Sequence, residues 1–151
     1  MISREQAERL FEDFLMVMDD QLDWLQEEAR KYGLSLSTDM EDCERLEVLF
    51  DKMSVALPAD QIQDLSWLLA RQLGEIVRRT HGGKWVLSWN EENTINRGLP
   101  VIVGHCPIDG VEFAPTRTMH FYALRRVRGL LRRSIEADVR PSPLEIRSVE
   151  E

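Results

Sequence analysis

The sequence predicts an α+β domain with three N-terminal helices, a three-stranded antiparallel meander, and a C-terminal amphipathic helix packed on the sheet. Two observations predict this order. Apolar residues recur at three- and four-residue steps up to about residue 80, which is typical of amphipathic helices. Beyond that point, apolar and polar residues alternate in short segments separated by glycine and proline, which is typical of strands joined by tight turns.

The length and composition fit one domain that needs no disulfide or metal to fold. The 151 residues are 43% hydrophobic and 30% charged, and a chain of this size buries roughly two-thirds of its unfolded surface. We expect residues 1–140 to form a single domain, with an acidic helical part over 1–57 and a helix–sheet–helix part over 58–140. The prolines that open residues 141–151 predict a flexible tail there.

The first predicted helix begins at Ser3 and ends near Gly33. Ser3 and Gln6 have the spacing of a capping box, and Gly33 stands where a glycine commonly ends a helix. A helix of about thirty residues is roughly 45 Å long, so it must bend or contact several partners. Its apolar stripe consists of Ala7, Leu10, Phe11, Phe14, Val17, Met18, Leu22, Leu25, Ala29 and Tyr32.

Two further helices are predicted before residue 81. Thr38 and Glu41 again have capping-box spacing, and Pro58 is placed to be the first residue of the third helix, where proline is tolerated. Gly74 costs this helix about 1 kcal/mol relative to alanine, so we expect another element to pack closely against it. The stripes are Cys43, Leu46, Leu49, Phe50 and Met53 in the second helix, and Ile62, Leu65, Leu68, Leu69, Leu73, Ile76 and Val77 in the third.

Three short strands are predicted after the third helix. In the first strand, Trp85, Leu87 and Trp89 alternate with polar residues. The second strand, 99–106, is rich in β-branched residues, and a Pro-Ile-Asp-Gly turn leads from it into the third strand, 111–113.

The last predicted helix, over 116–140, is basic and amphipathic. Thr116 or Thr118 is expected to cap it, and its seven arginines against two acidic residues give it a net charge of +5. These arginines could bind phosphate or an acidic partner. We favour internal pairing with the carboxylates of the first two helices, because rows of surface charge usually contribute little. Its buried stripe is predicted to contain Leu124, Val127 and Leu131.

Charge is unevenly distributed along the chain. The net charge is −8 overall, −10 over residues 1–60 and +2 over residues 61–151. An acidic chain is not expected to bind nucleic acid, because phosphate contacts need an excess of positive potential.

The predicted location is cytoplasmic. The N-terminal residues lack the apolar core of a secretory signal, and no window approaches 18 consecutive apolar residues. Cys43 and Cys106 are far apart in sequence and fit two buried free thiols in a reducing compartment better than a disulfide, which stays an alternative.

Four short motifs carry a family resemblance over about residues 65–129. They are Leu73-Gly74-Glu75, Gly82-Gly83-Lys84-Trp85, Phe113-Ala114-Pro115 and Arg125-Arg126-Val127-Arg128-Gly129. Together they resemble the uncharacterised bacterial domain family DUF3806. The resemblance implies a small helix–sheet–helix protein without assigned catalysis. Immunity partners of bacterial antibacterial toxins are similar to it in size and layout.

Neither a catalytic site nor a metal site is predicted, and no cofactor is expected. The histidines and cysteines have none of the spacings of common metal sites. A cysteine nucleophile needs a histidine and an orienting acid, and Cys106 with His105, Asp109 and His120 is the one candidate set. We favour an apolar-side cysteine at a strand end, and we expect His120 to be a hydrogen-bonded core histidine.

The acidic N-terminal half carries the main functional prediction. Carboxylates on two helices project a negative field that steers a basic partner, such as a toxin with a basic cleft. Trp24 and Met16 lie off the main apolar stripe and would be anchors if exposed. The predicted partner-binding residues are Glu12, Asp13, Asp19, Asp20, Asp23, Trp24, Glu27 and Asp42.

Two functions of different classes follow from these observations. The first is a non-catalytic, immunity-type inhibitor that neutralises a bacterial toxin through its acidic helices. The alternative is a self-associating housekeeping domain, in which the acidic half of one copy meets the Arg-rich helix of another. The same carboxylates could instead serve only as a solubilising surface.

Overall fold

The computed structural model describes residues 2–92 and 94–140, and in these residues helices dominate over a small sheet. None of the helices in these ranges is both long and apolar enough to cross a bilayer. The predicted flexible tail, 141–151, lies outside the described residues. The elements are α1 (Arg4–Met16), α2 (Met18–Lys31), α3 (Asp42–Ser54), α4 (Ala59–His81), β1 (Lys84–Leu87), β2 (Pro100–Val103), α5 (Pro115–Arg125) and α6 (Leu130–Val139).

The single first helix that was predicted is divided at Val17 into α1 and α2. Val17 has φ −93° and ψ 4°, which depart from helical values. Both predicted ends are confirmed, because Ser3 and Gln6 form the capping box and Gly33 follows α2 with φ +75°. The division lets α1 pack on β1 while α2 packs on α4. A straight rod of the combined length could not follow both surfaces.

The capping box predicted at Thr38 and Glu41 does not form. Thr38 has a positive φ of 58°, and α3 begins only at Asp42. The carboxylate of Asp42 instead accepts hydrogen bonds from the backbone N–H groups of Ser37 at 3.0 Å and Thr38 at 2.8 Å. The turn is therefore ordered by a carboxylate of the helix that follows it.

The central helix is α4, which packs against α2, α3, α5 and β2. Pro58 is the N-cap of α4 and not its first helical residue, so the helix begins at Ala59, one residue later than predicted. A Cβ on Gly74 would overlap the indole ring of Trp85, which confirms the expected close packing. One hydrophobic core joins residues from α2 to α6. Its largest fully buried side chains include Leu25, Leu46, Leu49, Phe50, Leu69, Leu73, Ile76, Met119, Tyr122, Leu131 and Ile135.

The predicted three-stranded meander is wrong. Strands β1 and β2 pair in antiparallel fashion, with Trp85 opposite Ile102. Phe113 contributes only an isolated bridge to Ile102, with hydrogen bonds of 2.8 and 2.9 Å. Because Pro115 already begins α5, too few residues remain beyond Phe113 for a third strand.

The predicted C-terminal helix is two helices, α5 and α6. Arg126 and Gly129 have left-handed backbone conformations, with φ 52° and 89°, and they separate α5 from α6. The N-cap of α5 is Ala114, followed by proline at the first helical position, so no threonine caps the helix. The turn leaves Leu124 and Val127 68% and 45% exposed, so the predicted buried stripe is wrong at both positions. The helix α5 packs on α4 and β2, whereas α6 packs on α3 and α5.

Candidate functional site: an acidic face on two helices

Aromatic packing fixes which sides of α1 and α2 point outward. The ring of Phe14 is buried with its centroid 5.0 Å from Trp85 and 6.0 Å from Trp67. On α2, Leu25 and Ala29 are fully buried. Since the buried residues of each helix lie on one side, the opposite side is exposed.

The outward sides of α1 and α2 carry exposed carboxylates, and we call six of them, between residues 12 and 27, the acidic face. In the part of the chain that the structure describes, only one of the six has an ion pair, between Glu27 Oε1 and Arg30 Nη1 at 2.7 Å. The other five therefore leave a local negative potential in solvent. The acidic face consists of Glu12, Asp13, Asp19, Asp20, Asp23 and Glu27.

Several large apolar side chains are exposed among these carboxylates, and Met16 and Trp24 are the most exposed of them. Met16 is 78% exposed and Trp24 is 49% exposed. Along α2, Trp24 lies one helical turn from Asp20 on one side and one turn from Glu27 on the other, because residues three and four apart are neighbours on a helix. An exposed tryptophan with a charged rim combines the two components of many protein interfaces.

Asp42, the eighth predicted contact residue, is not part of the acidic face. Its side chain is fully buried. Besides the two backbone groups described above, Arg45 Nη1 donates to it at 2.9 Å and Gln72 Nε2 at 3.0 Å. A buried carboxylate with donors from four residues is a structural group and is unavailable to a partner. The sequence does not distinguish Asp42 from an exposed carboxylate in the first turn of a helix.

Glu47 is a buried carboxylate that sequence analysis missed. It lies on α3 and accepts hydrogen bonds from the backbone N–H groups of Gly129 and Leu131 at the start of α6. One signal was present in the sequence. Glu47 is four residues after Cys43 and three before Phe50, which places it on the apolar stripe of α3 and not on its polar side.

Three arginines after α5 are engaged within the chain. Arg126 and Arg128 both pair with the carboxylate of Asp51, at 3.0 and 2.8 Å. Arg132 lies 2.8 Å from Glu44. These contacts confirm the predicted pairing with the second predicted helix, since the carboxylates all belong to α3. In the described residues none of these three arginines pairs with a carboxylate of the first predicted helix. The charge of these arginines is therefore largely compensated.

The candidate catalytic set is not assembled. His105 is buried, with its Nε2 2.5 Å from Asp138 Oδ2, while Cys106 Sγ contacts the carbonyl oxygen of Ile108 at 3.6 Å. His120 is exposed on α5, so its predicted place in the core is wrong. Within the described ranges, no three His, Cys, Asp or Glu side chains are placed to hold a metal ion.

Both cysteines are free thiols, but only Cys43 is buried, whereas Cys106 is partly exposed. The prediction of two buried thiols is thus confirmed for Cys43 and wrong for Cys106. Burial raises the pKa of the Cys43 thiol to about 12, so it is protonated at neutral pH.

A cleft of about 330 Å³ lies between α6 and the end of α4. Arg132 in this cleft is already bound to Glu44 and to the carbonyl oxygen of Met40. Burial and the nearby Arg140 lower the pKa of His81, which also lines it. The lining contains no nucleophile beside a base, so the acidic face stays the stronger candidate site.

Comparison of the chain with protein-family models, with curated proteins and with solved structures gives no match. The resemblance to DUF3806 over about residues 65–129 therefore stays a prediction, and the candidate site depends on its own geometry.

Proposed function

We propose that this protein is a non-catalytic binding domain of the immunity type, which inhibits a bacterial toxin by docking the acidic face on a basic cleft. One juxtaposition carries the proposal. Met16 and Trp24 are exposed between carboxylates, five of which have no ion pair within the described residues. Exposed apolar area of this kind costs solubility unless a partner covers it.

The chemistry of the face fits a partner that handles phosphate. A toxin that cleaves nucleic acid or nucleotides needs a cluster of cationic groups, and an inhibitor can occupy that cluster with carboxylates. Asp20, Asp23 and Glu27 follow each other at helical steps of three and four residues, so neighbouring carboxylates are roughly 5–6 Å apart. Trp24 between them supplies the apolar contact that slows dissociation.

Neutralisation of toxicity tests the proposal. An immunity protein is expected to be encoded beside its toxin, so the product of the adjacent gene is produced in cells with and without this chain, and growth is recorded. We expect growth arrest that wild type relieves and that the acidic-face variant, Asp20→Arg with Trp24→Ala, fails to relieve.

A matched control variant distinguishes an effect of the acidic face from an effect of any surface substitution. The control variant, Glu91→Arg with Val55→Ala, also reverses one exposed carboxylate and removes one exposed apolar side chain, but outside the face. It should protect as wild type does. An adjacent gene product without toxicity, or full protection by the acidic-face variant, would contradict the proposal.

The internal ion pairs weaken the alternative of self-association for the second half of the predicted Arg-rich helix, over residues 126–132. Arg126, Arg128 and Arg132 are held by carboxylates of α3, and a second copy would have to displace these contacts. A different basic surface is needed for any contact between copies.

A further inference from the structure

The exposed side of α5 carries cationic and apolar side chains that the proposed function does not use. We call this set, Arg117, Phe121, Leu124 and Arg125, the basic stripe. Phe121 is 38% exposed and Leu124 is 68% exposed. The guanidinium carbons of Arg117 and Arg125 lie 5.5 and 5.7 Å from the centroid of the Phe121 ring.

The two arginines of the basic stripe are not neutralised by carboxylates in the described residues. Arg117 donates to the amide oxygen of Asn96 at 3.0 Å, a neutral acceptor. Arg125 is exposed and lies against the ring of Phe121. This distinguishes the basic stripe from Arg126 and Arg128, which share Asp51.

The basic stripe and the acidic face are complementary in chemistry and in spacing. On α5, Phe121 lies between Arg117 and Arg125, four residues away on each side. On α2, Trp24 lies between Asp20, four residues before, and Glu27, three residues after. Each surface is thus an exposed aromatic ring between two charges one helical turn away, and the charges have opposite signs.

We propose that the acidic face of one copy of this chain docks on the basic stripe of a second copy. The occupant is another copy because the matching acidic, aromatic helix is present on the chain itself. The two surfaces are different, so the contact is head-to-tail, and a dimer keeps one free surface of each kind. Asp20, Glu27 and Arg125 are exposed and Arg117 is partly exposed, so salt weakens the association.

This contact and the proposed toxin contact use the same acidic face. The inference deepens the proposed function, because toxin binding then competes with self-association and the unoccupied protein keeps Trp24 covered. The contact between copies does not depend on the identity of the toxin.

Sedimentation velocity of the full chain at several concentrations, in low and high NaCl, tests the inference. We expect the wild-type mass to rise with concentration in low salt and to return to the monomer in high salt. The acidic-face variant (Asp20→Arg with Trp24→Ala) and a basic-stripe variant (Phe121→Ala with Arg125→Glu) should each be monomeric alone. An equimolar mixture should form a heterodimer, since each variant supplies the surface that the other lacks.

Three results would overturn the inference: a wild-type monomer throughout in low salt, a basic-stripe variant that associates as wild type does, or a mixture that stays monomeric. All four substituted residues are exposed, so far-UV circular dichroism and the melting temperature should not change. The Glu91→Arg, Val55→Ala control should associate as wild type does.

The same variants separate failure of this inference from failure of the proposed function. The basic-stripe variant keeps the acidic face and should still relieve growth arrest. If it protects and the wild type never associates, only the contact between copies is refuted. If the wild type associates and never protects, only the toxin-inhibitor function is refuted.

Discussion

The buried carboxylate of Glu47 accepts a hydrogen bond from the backbone N–H of Leu131 at 3.1 Å. Its other oxygen accepts from the N–H of Gly129 at 2.9 Å, and Arg128 Nη1 lies 3.6 Å from it. A side chain of α3 therefore caps the first turn of α6, where free N–H groups and the helix dipole favour a negative charge. This cap fixes the position of α6 on the core.

Replacement of Glu47 by alanine should destabilise the fold by about 2–3 kcal/mol, because the buried N–H of Leu131 and the partly buried N–H of Gly129 lose their acceptor. Glu47→Gln keeps one acceptor oxygen and should cost less. The free energy of unfolding in urea measures both effects, with Glu91→Ala as an exposed control expected to lie within about 0.5 kcal/mol of wild type. An alanine variant as stable as this control would show that the cap contributes nothing.

Asp42→Asn should lower stability without affecting the acidic face. The carboxylate receives donors from Ser37, Thr38, Arg45 and Gln72, and a neutral amide cannot accept all of them, which costs about 1–3 kcal/mol. Because Asp42 is buried, the folded variant should relieve growth arrest as wild type does. Loss of protection at a temperature where the variant is folded would return Asp42 to the list of partner contacts.

Gly74→Ala should cost about 1–3 kcal/mol, because the new methyl group overlaps the indole of Trp85 and overpacking strains a well-packed core. The indole is also held by its Nε1, which donates to Glu75 at 3.1 Å, so it cannot move freely. A double-mutant cycle with Trp85→Leu measures the coupling. Equal costs of Gly74→Ala with and without the indole would contradict the steric explanation.

The two thiols should differ in reactivity. With its pKa raised to about 12 by burial, Cys43 has almost no thiolate at neutral pH, whereas Cys106 is partly exposed. Intact-protein mass spectrometry after treatment with iodoacetamide should show one adduct in the native protein and two in urea. Native Cys106→Ser should show none, and rapid labelling of Cys43 in that variant would refute its burial.

Stability should fall in alkali through Tyr122. Burial, and then the hydrogen bond from its hydroxyl to Asp51 at 2.9 Å, raise the pKa of Tyr122. In the unfolded chain a tyrosine has a pKa of about 10. Above that pH the native state therefore binds more protons than the unfolded state. The contribution of Tyr122 to stability is complete below that pH and is lost as the pH rises. The free energy of unfolding against pH should fall less steeply in Tyr122→Phe, and parallel curves would contradict this origin.

The sequence by itself determined features that depend on neighbouring residues. The capping box at Ser3, the helix end at Gly33 and the close packing at Gly74 all follow from local backbone geometry or from a missing side chain. The exposed carboxylates of the acidic face were also predictable, because charges opposite an apolar stripe point to solvent. The exposure of Trp24 was only conditional in the sequence, since a long helix can bury two sides.

Only the tertiary structure decided which carboxylates with similar local sequence patterns are buried in the fold and which stay exposed. Asp42 and Asp20 are both carboxylates in the first turn of a helix, yet Asp20 is exposed and Asp42 is buried, with Gln72 of α4 among its donors. The break at Val17 has neither proline nor glycine, and the break between α5 and α6 begins at Arg126, three residues before Gly129. Both breaks arise because each helical half packs on a different partner. Periodicity reports which side of a helix is apolar, but the number of elements that cover that side is set by contacts between residues far apart in the chain.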